Sequence, residues 1–235
     1  MLSLLVILNR YQIAKSMEQM HPDNVNNDVI HSLPDTTKYF KGSRLRFKGL
    51  GEKNSIINSF FLDFLKGYNL PVLFRERVDA NKIAFHPHTP LPVIIRVINY
   101  TDQKMAHTFS LEYGTPLSTP VLLHFLHREP IVFLSESQLI SFNVLPVQHL
   151  RSINRLAGKT NAVLKSFFER RNLVLCEFIC SFGIVDEKIA VIGDFLSPSL
   201  QVASVTNGSL PKPLTVSGTR ELKMYTDQLL DFIKV

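Results

Sequence analysis

The sequence predicts an α+β fold, and three features predict it. Strand-like runs rich in Val, Ile, Leu and Phe crowd the first half of the chain. Three stretches, 54–67, 145–168 and 219–234, instead repeat apolar residues at helical spacing. Between the last two of these lie two apolar runs, 173–182 and 188–193, joined by the polar link Val185-Asp186-Glu187. That is the pattern of a buried two-strand hairpin. Strands early, a long helix before the hairpin and a helix at the end make an α+β order. It suits a smaller N-terminal lobe and a larger C-terminal lobe, 1–80 and 81–235, meeting near residues 75–90. Ligands often sit between such lobes.

Composition bounds the class. The chain has 235 residues, 45% hydrophobic and 20% charged, which suits a soluble globular protein with a substantial core. No apolar run approaches the roughly 20 residues needed to span a bilayer. The opening MLSLLVIL reads as a first strand rather than a signal peptide. Cys176 and Cys180, the only cysteines, share one predicted strand face about 13 Å apart, too far to bridge. They read as reduced core residues of a cytoplasmic protein. Lys and Arg number 26 against 20 Asp and Glu, a net charge of +6. Basic residues concentrate in KYFKGSRLRFKGLGEK, 38–53, with Tyr39, Phe40 and Phe47 between them. A phosphate-rich small ligand, a nucleic acid or a solvated basic loop would each account for that stretch.

The elements follow in order. Residues 2–8 and 29–33 read as strands, with a His21-Pro22-Asp23-Asn24 turn between them. Gly42, Gly49 and Gly51 bracket a loop. A helix begins at Asn54, with Ile56, Ile57, Phe60, Phe61, Phe64 and Leu65 at helical spacing and Gly67 as its stop. GYNLPVLFRERV is a turn and a strand, 82–85 another strand, and His86-Pro87-His88 a turn whose two imidazoles have a spacing open to metal ligation. PVIIRVINY is strongly strand-like and holds Arg96, which needs an anion or carboxylate partner unless it snorkels from a sheet edge. Residues 109–113 read as a short strand, and 119–127 is apolar. The helix at 145–168 closes on Arg170-Arg171-Asn172, and 197–213 reads as loop.

The hairpin carries the chemistry. Glu177 lies inside its first run and Asp194 just beyond its second. An acid in an apolar strand is costly unless a cation, hydrogen bonds or water compensate it. Two such acids on paired strands fit a shared metal ion; they also fit a solvated edge acid and a turn acid. The sequence has no phosphate-loop, dinucleotide or nucleophile-elbow fingerprint.

Residues 161–198 carry a resemblance. TNAVLKSFFERRNLVLCEFICSFG and IGDFLSPS resemble K-A-N-x-V-L, L-x-L-V-D-F-K-L-E-F-G and G-D-E-x-S-P-D of the SAICAR synthetase (phosphoribosylaminoimidazole-succinocarboxamide synthase) family. PLPVIIRV resembles that family's V-P-x-E-x-V-V-R-N strand. GEKNSIINSFFLDFL resembles its G-x-x-N-N-x-I-S helix, and GTPLSTPVLLHFLHREPIV its segment ending H-D-P-x-I. The resemblance implies a two-lobed fold with ATP-grasp or kinase-like lobes, antiparallel sheets and flanking helices. It implies an ATP-dependent ligase that joins a carboxylate to an amine such as aspartate, with ATP and Mg²⁺ in the cleft. Its partners are then small-molecule substrates, with no nucleic acid and no membrane, and a homo-oligomer is compatible with it. Carried over by position, Lys15 and Lys48 would contact nucleotide phosphate and Arg96 the substrate's phosphate or carboxylate. Glu177 stands for the acid of D-F-K, with a catalytic or metal-binding role. Asp194 is the retained acid of G-D-E and the metal ligand, and Glu129 stands where the family has Asp.

The departures are many. Ile13, Ile179 and Phe195 stand where the family has Lys, Lys and Glu, and Val97, Ser181 and Ser199 replace Asn and two acids. Removing charges that offset phosphate has a direct electrostatic cost. Two readings follow: a divergent ligase, or a catalytically inactive homologue that binds a ligand or partner.

Overall fold

The computed structural model describes residues 28–38, 44–127, 129–204, 209–211 and 216–234, with backbone alone at 129–131. The expected strand at 2–8, the turn at 21–24, Ile13 and Lys15 lie outside the described residues.

The small sheet comes first. Strand β1 (Val29–Ser32) is followed by the short hairpin β2 (Thr36–Lys38) and β3 (Arg44–Arg46), then helix α1 (Leu50–Gly67), β4 (Phe74–Asp79) and β5 (Lys82–Phe85). The sheet order is β1-β5-β4, antiparallel throughout. Helix α1 begins at Leu50, one turn before the expected Asn54. Its cap is not local. The Asp35 carboxylate accepts the N–H groups of Gly49 and Gly51 at 3.1 and 2.9 Å. A carboxylate at a helix N-terminus satisfies otherwise orphaned donors and faces the positive end of the helix dipole. Gly49, at φ 87, makes the left-handed turn that admits it.

The large sheet follows. After β6 (Thr89–Pro90) and β7 (Val93–Tyr100) comes helix α2 (Gln103–Phe109), then β8 (Pro116–Leu126), β9 (Glu129–Leu134), α3 (Glu136–Ser141) and α4 (Val147–Glu169). The chain continues through β10 (Leu173–Val185), β11 (Lys188–Gly193), β12 (Gln201–Ser204) and α5 (Thr219–Ile233). The order is β11-β10-β7-β8-β9, with β6 and β12 also pairing β10. The expected hairpin is therefore β10–β11, and its first strand, at 13 residues, organises the sheet.

Two expectations are corrected. Residues 109–113 are not a strand. Asp102 caps α2 by accepting the Met105 N–H, the helix runs to Phe109, and Ser110 ends it with φ 54. A capped turn of helix won over the apolar alternation of Phe109 and Leu111. The stretch 197–213 is not all loop, because β12 pairs along the outer half of β10 from Leu173 to Glu177.

Side-chain alternation sorts β10. Phe178, Cys180 and Phe182 point into the main core with Val97 and Ile95 of β7. There α1 and α4 meet the sheet through ring contacts, Phe61 lying 5.3 Å from Phe167 and 5.6 Å from Phe168. Such edge-to-face pairs add about 0.5–1.5 kcal/mol beyond burial. Glu177, Ile179 and Ser181 share the opposite face, where Ile179 packs with Ile94 and Phe125 in a separate cluster. Both cysteines are buried and unbridged.

Candidate active site

The face of β10 turned away from the main core carries the charged residues. Glu177 is 4% exposed. Arg96 on β7 donates to its Oε2 through both Nε, at 3.1 Å, and Nη2. The same Nη2 donates to Asp102 Oδ2 at 3.2 Å. One guanidinium thus joins two acids from different elements, and the partner that Arg96 needed is Glu177. Burial pushes the Glu177 carboxyl above the usual carboxylate range; Arg96 opposes that rise and Asp102 adds to it.

Asn99, three residues beyond Arg96, is a buried polar residue that the sequence reading passed over. It is 4% exposed and exchanges two side-chain hydrogen bonds with Asn161 of α4, at 2.8 and 2.9 Å. Asp102 was passed over likewise. The signal for both was polarity inside or just after an apolar strand, in VINYTD.

Asp194 sits elsewhere. Gly193, the residue before Asp194, pairs with Ser181, which lies four residues from Glu177 on β10. The charges that act on Glu177 are Arg96 and Asp102, whereas Asp194 acts on His31 and Cys180. Among the described residues, no group of three His, Cys, Asp or Glu side chains is spaced to hold a metal.

Two amides of α1 hold the loop that presents Asp194. Asn58 Oδ1 accepts the Phe195 N–H at 3.1 Å, and Asn54 Oδ1 accepts the Ser197 N–H at 2.9 Å. A Cβ on Gly193 would come within 2.7 Å of Asn58 Oδ1, so only glycine fits there. Asp194 has φ 80, a left-handed backbone that Asp tolerates better than most residues. Phe195 is fully buried beside Phe178 and Phe61. The loop thus turns one side chain inward and leaves Asp194 half-buried at the junction of the two sheets.

Lys48 is exposed at the start of α1, and its charge reaches Asp35. Glu129 lies in β9. His88 follows β5 and His31 belongs to β1, so both face the same junction from the small sheet.

Two antiparallel sheets, a helix-clamped acidic loop where they meet and a buried Arg–Glu–Asp cluster define an α+β protein with its polar groups gathered along one sheet face and one junction. The SAICAR synthetase family model matches residues 18–200, and the chain belongs to that family. It is 25% identical over 175 residues to phosphoribosylaminoimidazole-succinocarboxamide synthase of Acidithiobacillus ferrooxidans, covering 73% of this chain and 72% of that one. It is 26% identical over 187 residues to the Psychrobacter enzyme of the same name, covering 78% and 77%. The fold matches a solved SAICAR synthetase in complex with ADP with a TM-score of 0.78 at 17% identity, covering 90% of this chain and 93% of that one. It matches the phosphoribosylaminoimidazole-succinocarboxamide synthase of Ehrlichia chaffeensis with a TM-score of 0.73, also at 17% identity, covering 92% and 91%. No helix among the described residues is long and apolar enough to cross a membrane.

Proposed function

We propose that this chain is a cytoplasmic ATP-dependent ligase of purine biosynthesis that forms an amide between the carboxylate of an imidazole ribonucleotide and the amine of aspartate. The observation that carries this reading is the family match across residues 18–200. The net charge of +6 suits a protein whose ligands are phosphates and carboxylates. The division into a smaller N-terminal and a larger C-terminal lobe, with nucleotide between them, is part of the same proposal.

The residues divide the work. Asp194, half-buried and held by the Asn54 and Asn58 clamp, is the carboxylate for Mg²⁺. A magnesium site of one carboxylate completed by nucleotide phosphates and water fits a cleft without a three-acid cluster. Glu177 is already committed to Arg96, and an acid neutralised by a guanidinium is a poor metal ligand. We assign Glu177 to orienting Arg96, whose guanidinium serves the substrate's anionic groups. The planar guanidinium then keeps one geometry as the reaction proceeds. ATP supplies the phosphoryl group that activates the carboxylate oxygen, after which the amine takes the carbonyl carbon and phosphate leaves with that oxygen. Lys48, exposed just before α1, is assigned to the nucleotide phosphates.

Isothermal titration with Mg·ATP, followed by an assay for amide formation from the carboxylated ribonucleotide and aspartate, tests the reading. Binding that vanishes in Asp194→Ala, together with turnover in the unaltered protein, supports it. Binding without turnover would mark a homologue that kept its nucleotide and lost its reaction. No binding in either protein would remove ATP chemistry altogether.

A further inference from the structure

The junction of the two sheets holds two imidazole nitrogens with no partner among the described residues. His31 Nε2 and His88 Nε2 are both buried, and neither has a hydrogen bond to a described residue. A buried polar atom left unsatisfied is costly, so two together on one wall call for a shared guest. Their ring centroids are 6.1 Å apart. Two imidazoles bound through nitrogen to one ion at about 2.0–2.1 Å place their ring centres roughly 5–6 Å apart. The observed separation stands just above that range, and a small turn of either ring brings it within.

Tautomer and charge agree with this. His88 Nδ1 lies 2.7 Å from the His86 carbonyl oxygen. A ring N–H donated to a backbone carbonyl leaves the other nitrogen with a bare lone pair, the usual arrangement of a metal-binding histidine. Burial lowers the pKa of both rings, that of His31 to about 4, so neither holds a proton against a cation at neutral pH. Asp194 adds negative charge beside His31. The walls are rigid. Phe85 stacks obliquely on His31 at 4.6 Å, and Gly183 of β10 approaches so closely that a Cβ there would meet His88 Cδ2 at 2.7 Å.

We propose that His31 and His88 bind a borderline divalent cation such as Co²⁺ or Zn²⁺ through their Nε2 atoms, with water or a cleft ligand completing its coordination. Imidazole selects these ions over Mg²⁺, which takes oxygen ligands. Two protein ligands are consistent with the absence of a three-residue cluster among the described residues. The spacing of His86 and His88 is not the chelate, because His86 is exposed and serves through its carbonyl.

The test uses the metal alone, so it stands apart from the ligase reading. Full-length protein is titrated with Co²⁺ in the absence of nucleotide, following its visible absorption and the heat. One equivalent binds, and affinity falls roughly tenfold or more in His31→Gln and in His88→Gln. The exposed His86→Ala and His107→Ala leave it unchanged. Histidine-labelled unaltered protein supplies a readout that needs no variant: Zn²⁺ shifts the Nε2 resonances of His31 and His88 before any other ring. Absence of binding, binding indifferent to both Gln variants, or Zn²⁺ shifts confined to surface rings would overturn the proposal and leave a bridging water as the guest.

Discussion

Arg96 and Glu177 face each other diagonally across adjacent strands, Arg96 opposite Ile179 and Glu177 opposite Ile98, with the guanidinium bound to one carboxylate oxygen through two nitrogens. Removing Arg96 leaves the Glu177 charge buried without its guanidinium, and removing Glu177 takes from Arg96 the more buried of its two acids. Glu177→Ala therefore costs about 3–5 kcal/mol in urea unfolding, whereas the paired replacement Arg96→Met with Glu177→Leu costs much less. Both lose amide formation. A double-mutant cycle reads the coupling, and additive single losses would show that the pair is not a unit.

Asp194 separates binding from folding. It is only half-buried, and its positive φ is one that Asn also accepts. Asp194→Asn should keep the melting temperature within about 2 °C, the effect of roughly 0.5 kcal/mol at this chain length. Titration with Mg·ATP should show affinity lost at least tenfold. A large drop in melting temperature would reassign Asp194 to structure.

The clamp on the acidic loop predicts coupling at a distance. Asn58→Ala removes the acceptor of the buried Phe195 N–H and costs about 1–3 kcal/mol. Its effect on Mg·ATP affinity should resemble that of Asp194→Asn, although Asn58 would touch no ligand. Affinity unchanged despite lost stability would uncouple loop and site.

The thiols should be silent. Burial pushes the Cys176 thiol up to about 12 and raises Cys180 further above its ordinary value of 9.0. At pH 8 neither yields thiolate in the folded protein, and thiolate is the reactive form. Ellman's reagent should react with no thiol natively and with two after guanidinium denaturation. Rapid native reaction would contradict the burial.

Asp35 gives a pH dependence of known sign. Hydrogen bonds from Gly51 and Gly49 hold its carboxyl below the ordinary 3.8. The unfolded chain binds its proton first as pH falls, so its contribution is full above 3.8 and is lost as pH drops through the lowered native value. Asp35→Asn should lower the melting temperature at pH 7 and show a shallower loss between pH 5 and pH 3, within roughly the window where a carboxylate titrates. Equal slopes would mean the cap is not ionic.

The amino-acid sequence alone determined the α+β order, the three long helices, the central hairpin and the family, because these rest on periodicity and on motifs contiguous in the chain. It also placed Arg96, Glu177 and Asp194 as residues needing partners, because a charge beside an apolar strand is conspicuous. Tertiary structure decided who the partners are. Strand register put Arg96 against Glu177 and set Asp194 just past the end of β11, where Gly193 pairs with Ser181. A cap 14 residues upstream set where α1 begins. Helix packing turned Phe195 inward and Asp194 outward, and the fold brought His31 of β1 within reach of His88 after β5 and of Asp194 beyond β11. Each of these is a long-range contact, and its free energy depends on where two distant segments meet rather than on either segment's own pattern.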